Sequence, residues 1–237
     1  MRAITIAIAT ALALCAFFSA AAESTENVTA LRKAADAGNA KAMTCLGACY
    51  ASGKGVPQDD AEAAKWWRKA ADAGDVEAMT CLGAAYVFGS GVPQDDTEAV
   101  KWWSKAAAAG DAMATGALGV CYSSGKGVPK DEAKAMKLWN KAADAGNIDS
   151  MCTLGFYYAR GQHGVSQNHI LAYMWYSLAA AKGSKKAIEL QNTIVTEMTE
   201  QEIAEGEAVG RGAFPQEIKE IRNLPSGKRC FLVTIYP

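Results

Sequence analysis

Imidazole is nearly absent from this 237-residue chain, which has only two histidines, His163 and His169. No Cys-x-x-Cys pair accompanies them. The ligand spacing of a zinc site is therefore missing, and neither a metal nor any other cofactor is expected. An excess of charge is missing as well. Lys and Arg number 24 against 25 Asp and Glu, a formal net charge of −1. That balance, with no Lys/Arg run long enough to make a basic patch, supplies no strong field for nucleic acid or an anionic membrane surface. Beyond the N-terminus there is no apolar run long enough to span a bilayer. With 50% hydrophobic and 21% charged residues, the composition is that of a globular protein.

Residues 1–22 stand apart. Arg2 precedes an almost wholly apolar stretch from Ala3 to Phe18, and Ala20, Ala21 and Ala22 offer a small-x-small cleavage site before Glu23. This is the pattern of a secretory signal peptide, so the chain is expected to be exported, to the periplasm or beyond, with no membrane span after cleavage. Removing the segment takes away Arg2 and no acid, leaving 23 basic against 25 acidic residues. Six cysteines remain: Cys45, Cys49, Cys81, Cys121, Cys152 and Cys230. Export permits disulfides, but most of these positions read as small apolar side chains at a helix interface, and no pairing follows from their spacing.

The main fact is a repeat. The block at Lys33–Gly38 recurs at Lys69–Gly74, Lys105–Gly110 and Lys141–Gly146. With it move Leu46-Gly47, Leu82-Gly83, Leu118-Gly119 and Leu154-Gly155, and also Tyr50, Tyr86, Tyr122 and Tyr158. A Gly-x-Gly-Val-Pro-x-Asp turn spans Gly53–Asp59, Gly89–Asp95 and Gly125–Asp131. The fourth copy, from Gly161 to Val165, has one extra residue and no proline.

Each copy reads as two helices. Over 39–52, Met43, Leu46, Gly47 and Tyr50 fall on one face. Gly53 and Gly55 permit the turn that ends this helix, and Asp59 caps the next. Over 60–73, Ala63, Ala64, Trp67, Ala70 and Ala71 share a face, and Gly74 closes it. Neither helix buries its apolar face alone, so neighbouring copies must stack into a solenoid. The expected repeats are 39–74, 75–110, 111–146 and 147–183 within a domain spanning 23–211. A half repeat at about 25–37 precedes them, and a helical cap at 184–211 follows, with Thr199 and Glu202 as a capping box. The β-prone segment 228–236 lies in a tail, 212–237, with no assigned structure.

The pattern A-x-x-x-L-G-x-x-Y-x-x-G-x-G-V-P-x-D-x-x-x-A-x-x-W-W-x-K-A-A-x-x-G, nearly complete from Ala42 to Gly74, resembles the Sel-one-like repeat family, which is tetratricopeptide-like. Its 36-residue step separates it from the 34-residue tetratricopeptide repeat. The segment from Met198 to Glu205 is similar to an ending found in exported bacterial members. The resemblance implies an all-α, right-handed α/α superhelical solenoid that scaffolds protein complexes in envelope regulation or host interaction. Its cysteine-rich secreted branch, some members of which are described as β-lactamase-like, pairs one Cys on each helix of a repeat. Here Cys45, Cys49, Cys81, Cys121 and Cys152 all fall on first helices.

Little else suggests catalysis. Ser123 to Lys126 fits S-x-x-K, but at the end of a helix rather than the start, and without S-D-N or K-T-G partners. The Gly-x-Gly turns lack the context of a phosphate cradle. Asp59-Asp60 and Asp95-Asp96 suit helix N-termini. Asn27 to Thr29 fits a glycosylation sequon, incidental if the source is bacterial, as the resemblance of the ending implies. Of the Trp pairs, Trp66-Trp67 and Trp102-Trp103, one ring is expected in the core and its neighbour against the adjacent repeat. A sugar platform is the alternative for them, and a β-lactamase-like hydrolase is the alternative for the whole chain. The reading preferred here is a non-enzymatic adaptor for a protein or peptide partner.

The face of each first helix opposite its core face would hold that partner, by analogy with related solenoids. The stripe reads Lys41, Cys45, Ala48 and Ser52, then Glu77, Cys81, Ala84 and Phe88. It continues with Met113, Ala117, Val120 and Ser124, then Asp149, Thr153, Phe156 and Arg160. These side chains vary on a constant frame, and Phe88, Val120 and Phe156 are the expected apolar anchors.

Overall fold

Asn39 accepts a hydrogen bond from the Ala42 amide at 3.0 Å and so starts a helix over Ala40–Ser52. Gly53, in the left-handed region at φ 71°, stops it. The same two devices punctuate the whole chain. Asp75, Asp111, Asn147 and Ser184 cap later first helices. Gly89, Gly125 and Gly161, all left-handed, end three of them. Side-chain acceptors at the N-cap satisfy amides that the helix leaves orphaned, and glycine adopts positive φ without a Cβ clash.

This computed structural model describes residues 25–210, so the expected signal segment and the tail from 212 onward lie outside the described residues. The described helices are α1 (Thr25–Asp36), α2 (Ala40–Ser52), α3 (Asp60–Asp72), α4 (Val76–Phe88), α5 (Asp96–Ala108), α6 (Ala112–Ser124), α7 (Glu132–Asp144), α8 (Ile148–Arg160), α9 (His169–Ala181), α10 (Lys185–Val195) and α11 (Glu200–Gly210). Among the described residues every regular element is a helix, as the repeat reading requires. The chain divides into two units, one holding α1–α6 and the other α7–α11.

In the first unit each helix packs on the next along the chain. The Leu-Gly pair explains how α2 and α3 come so close. Leu46 is fully buried, and a Cβ at Gly47 would lie 2.5 Å from Nε1 of Trp67. The missing side chain is therefore the seat of the indole. Gly83 seats Trp103 in the same way. The second glycine of the turn serves a different contact. A Cβ at Gly91 would collide with the Asp60 carbonyl, and one at Gly127 with that of Asp96. Each turn thus rests on the start of the preceding second helix. Arg68 donates to the Tyr86 hydroxyl and lies 5.6 Å from the Tyr86 ring and 5.7 Å from that of Trp102. Trp102 therefore packs against the adjacent repeat while Trp103 sits on Gly83 within its own, so the structure shows which ring of the pair takes which role.

The second unit keeps the pattern with substitutions. Tyr176 takes the Trp position, and a Cβ at Gly155 would lie 2.5 Å from its ring. The extra residue of the fourth turn is accommodated at His163, which adopts φ 56° without being glycine. Its ring centroid lies 4.2 Å from that of Tyr157, which is in turn 5.0 Å from Trp139. These tilted and edge-on ring contacts pack the strained turn against α7 and α8. At the far end α11 packs on α9, where Gly206 makes room for Tyr173. The capping box is formed. The Thr199 amide donates to Glu202 at 2.8 Å, and the Glu202 amide donates to the Thr199 hydroxyl at 3.3 Å. The Thr199 backbone amide and hydroxyl hold the Glu202 carboxyl below its usual value.

Candidate protein-binding stripe

The first helices are more enclosed than one core face would suggest. In α4, Ala78, Thr80, Cys81, Leu82, Gly83, Ala84, Ala85 and Val87 are all buried. The reason is that α4 meets three neighbours: α3 and α5 along the chain, and α2 through Lys41–Glu77 and Thr44–Asp75. Ala48, Ala84 and Ala117 in the middle of the stripe are consequently buried. What remains open is mainly the two ends of each helix.

At the N-terminal ends, Lys41 is exposed and Glu77, Met113 and Asp149 are half-buried. Lys41 and Glu77, one repeat apart, form an ion pair. Burial alone would lower the Lys41 ammonium pKa, but the Glu77 hydrogen bond and charge outweigh it and hold it above its ordinary value. Thr44 donates to Asp75 at 2.9 Å, so the acid that caps α4 also ties two repeats together. Thr80 and Asp111 repeat the link at 3.2 Å. Three small polar stripe residues are satisfied within their own helices: Ser52 donates to the Ala48 carbonyl, Ser124 to that of Val120 and Thr153 to that of Asp149.

At the C-terminal ends, Phe88 is 42% and Phe156 38% exposed. Val120 is half-buried, a partial anchor only. Arg160 is exposed, and its guanidinium carbon lies 4.8 Å from the centroid of the Phe156 ring. Sequence reading ended the stripe there. The structure carries its register one helix further, because α10 is capped by Ser184 as α8 is by Asn147. Thr193 and Glu197 thus take the positions of Phe156 and Arg160. Ile188, 45% exposed on the same helix, falls at the register of the buried Met151 and so lies outside the stripe. The missing Leu-Gly and Tyr markers hid the homology of α10 to a first helix.

The cysteines divide. Cys49, Cys121 and Cys152 are buried free thiols, and Cys45 is a free thiol that is half-buried. Burial pushes all four pKa values up, that of Cys121 to about 12. Cys81 corrects the stripe. It is 3% exposed and disulfide-bonded. It is therefore covered, not an open contact residue.

The competing sites fare as follows. Ser123 sits in the last turn of α6, its hydroxyl donating to the Val120 carbonyl at 3.0 Å. An S-x-x-K nucleophile needs the opposite end of a helix. Trp66, Trp67, Trp102 and Trp103 are all buried, so they form no open platform for a sugar ring. His163 lies 3.7 Å from Glu132, and His169 lies 3.6 Å from Glu197. Among the described residues no group of three or more His, Cys, Asp or Glu is placed to hold a metal.

Comparison with known proteins accords with this geometry. The Sel1 repeat family model matches the chain four times, at 40–75, 76–111, 112–147 and 148–184. The Sel1 repeat protein from Oxalobacter formigenes is 32% identical, with a TM-score of 0.61 over 72% of this chain and 50% of its own. The protective antigen c5321, present in uropathogenic Escherichia coli strains and displaying an SLR fold, is 30% identical, with a TM-score of 0.68 over 91% of this chain and 48% of its own. This chain thus covers about half the length of those two proteins. The immunity protein Pa5087 from Pseudomonas aeruginosa shares the fold at 20% identity, with a TM-score of 0.53 over 84% of this chain and 83% of its own. No curated protein matches the chain. Four consecutive matches, set on the helices described above, place the chain in the Sel1 repeat family, whose members are in general scaffolds for protein–protein interaction.

Proposed function

We propose that the chain is an exported adaptor that holds a protein or peptide partner on the open ends of its first-helix stripe, in envelope regulation or host interaction. The observation that carries this reading is the exposure of Phe88 and Phe156, 42% and 38%, on helices whose other apolar side chains are almost all enclosed. Large aromatics left in water at variable positions of a constant frame suit recognition. Export rests on Arg2, the apolar stretch 3–18 and the small residues 20–22. Among the described residues no helix is long and apolar enough to cross a membrane. Similarity to c5321, a protective antigen, supports a location that a host encounters.

The test is affinity capture from envelope extract after in-cell crosslinking, with mass spectrometry. One dominant, saturable protein partner is expected. The Phe88→Ala/Phe156→Ala variant should retain its helical circular dichroism and capture several-fold less. Failure of the wild-type chain to capture any specific protein in repeated trials contradicts the adaptor reading. Capture by the double variant at the wild-type level contradicts the site.

A further inference from the structure

In the second unit, α8, α9 and α10 with the turns between them line a cavity of about 480 Å³. That volume lies within the usual range of small-ligand sites. Phe156, Leu190 and Ile194 supply an apolar wall, and Arg160, Tyr176 and Glu197 supply polar groups. Arg160, the last residue of α8, forms no ion pair among the described residues; its contact is the face of Phe156. Tyr176 is held by packing on Gly155. Burial raises its pKa to about 12, so it stays a protonated donor at neutral pH, and the Arg160 charge bears on its hydroxyl. Arg160, which no described carboxylate pairs with, a phenol able to donate, the Glu197 carboxylate (3.6 Å from His169) and an apolar wall therefore share one cavity.

We propose that this cavity receives the C-terminal residue of a partner polypeptide: the terminal carboxylate on Arg160 and the Tyr176 hydroxyl, the apolar side chain of the last residue on Phe156 and Ile194, and a backbone N–H on Glu197. The inference rests on the adaptor reading and specifies its ligand. Guanidinium is well suited to a carboxylate through charge-assisted, paired hydrogen bonds. A terminus fits better than an acidic side chain for a geometric reason. In an extended peptide only every second side chain shares a face, so an internal acidic residue would have to bring in an apolar side chain about 7 Å further along the chain. A terminal carboxylate and its own side chain leave the same Cα. A long acyl chain would instead need an apolar tunnel, whereas Gln162, Gln167 and Glu197 contribute polar lining here.

The test uses the purified chain and fluorescein-labelled hexapeptides with a free α-carboxylate, their last residue varied, beside the same peptides amidated. Saturable binding is expected for free acids ending in Leu, Ile, Val or Phe, with at least a ten-fold loss on amidation. Arg160→Ala should weaken the free acids by a similar factor and abolish the difference between acid and amide. Arg160→Lys should retain part of it. Because Arg160 is exposed, its variants should melt like the wild type. Equal binding of acids and amides, an unaffected Arg160→Ala variant, no saturable peptide binding, or tighter binding of palmitate than of any peptide each overturns the proposal. If the wild-type chain captures a crosslinked protein and Arg160→Ala captures it equally, this inference falls while the adaptor reading stands. If the wild type captures none, the adaptor reading itself fails.

Discussion

The Trp67 indole donates to the Thr44 carbonyl at 3.3 Å while its ring edge fills the space where a Cβ on residue 47 would sit. The next repeat reproduces the pairing, with Trp103 donating to Thr80 at 3.0 Å over Gly83. A glycine in mid-helix costs about 1 kcal/mol relative to alanine, so its recurrence needs a reason, and the seated indole is that reason. Gly83→Ala should therefore destabilise despite better helix propensity, by about 1–3 kcal/mol from overpacking. Trp103→Ala should cost about 3–5 kcal/mol. Urea unfolding measures both. A stabilised Gly83→Ala variant would contradict the seat.

Asp75 serves two partners, the Ala78 amide as N-cap and the Thr44 hydroxyl across the repeat boundary. Asp75→Ala should cost about 1–2 kcal/mol, through the lost cap and a weakened hydrogen bond. Asp75→Asn should cost much less, since Asn39 and Asn147 cap their helices in the same way. A Thr44→Ala/Asp75→Ala cycle that shows no coupling would remove the cross-repeat role.

The positive-φ glycines are not equivalent. Gly74, at φ 91°, has nothing within 4 Å of a built Cβ, whereas Gly91, at φ 70°, would collide with backbone. Gly74→Ala should cost roughly 1–2 kcal/mol of left-handed strain, and Gly91→Ala should cost distinctly more. Equal denaturation midpoints for the two variants would contradict the packing of the turn on α3.

Thiol chemistry should follow burial. At pH 8 a thiol of pKa about 12 is thiolate in roughly one molecule in ten thousand, and thiolate is the reactive form. Alkylation followed by peptide mapping should find Cys45 modified well before Cys121 in the folded chain. Cys81 should become reactive only after reduction. Rapid labelling of Cys121 under native conditions would contradict its placement.

Much of this architecture was legible in the sequence. The repeat fixed the helix pairs, because Asn/Asp caps and Gly stops recur at constant spacing and each has one structural use. The capping box at Thr199 and the cap helix followed from equally local signals. The stripe was less legible. Helical periodicity tells which residues share a face but not how many neighbours enclose the helix, so Cys81, Ala48 and Ala84 were placed in the open. The disulfide at Cys81 was out of reach because pairing depends on distance in the fold. The cavity beside Arg160 depends on Leu190 and Ile194 from a helix that lacks the repeat's markers.

The measurement that bears most directly on the adaptor account is site-specific photocrosslinking in the producing cell. Benzoylphenylalanine would be placed at Phe88 and at Phe156, and as controls at Lys65 and Lys101, which are exposed on second helices. The account predicts ultraviolet-dependent adducts with a discrete protein from the two stripe positions and none from the controls. Adducts from the controls alone, or equally from all four positions, would contradict it.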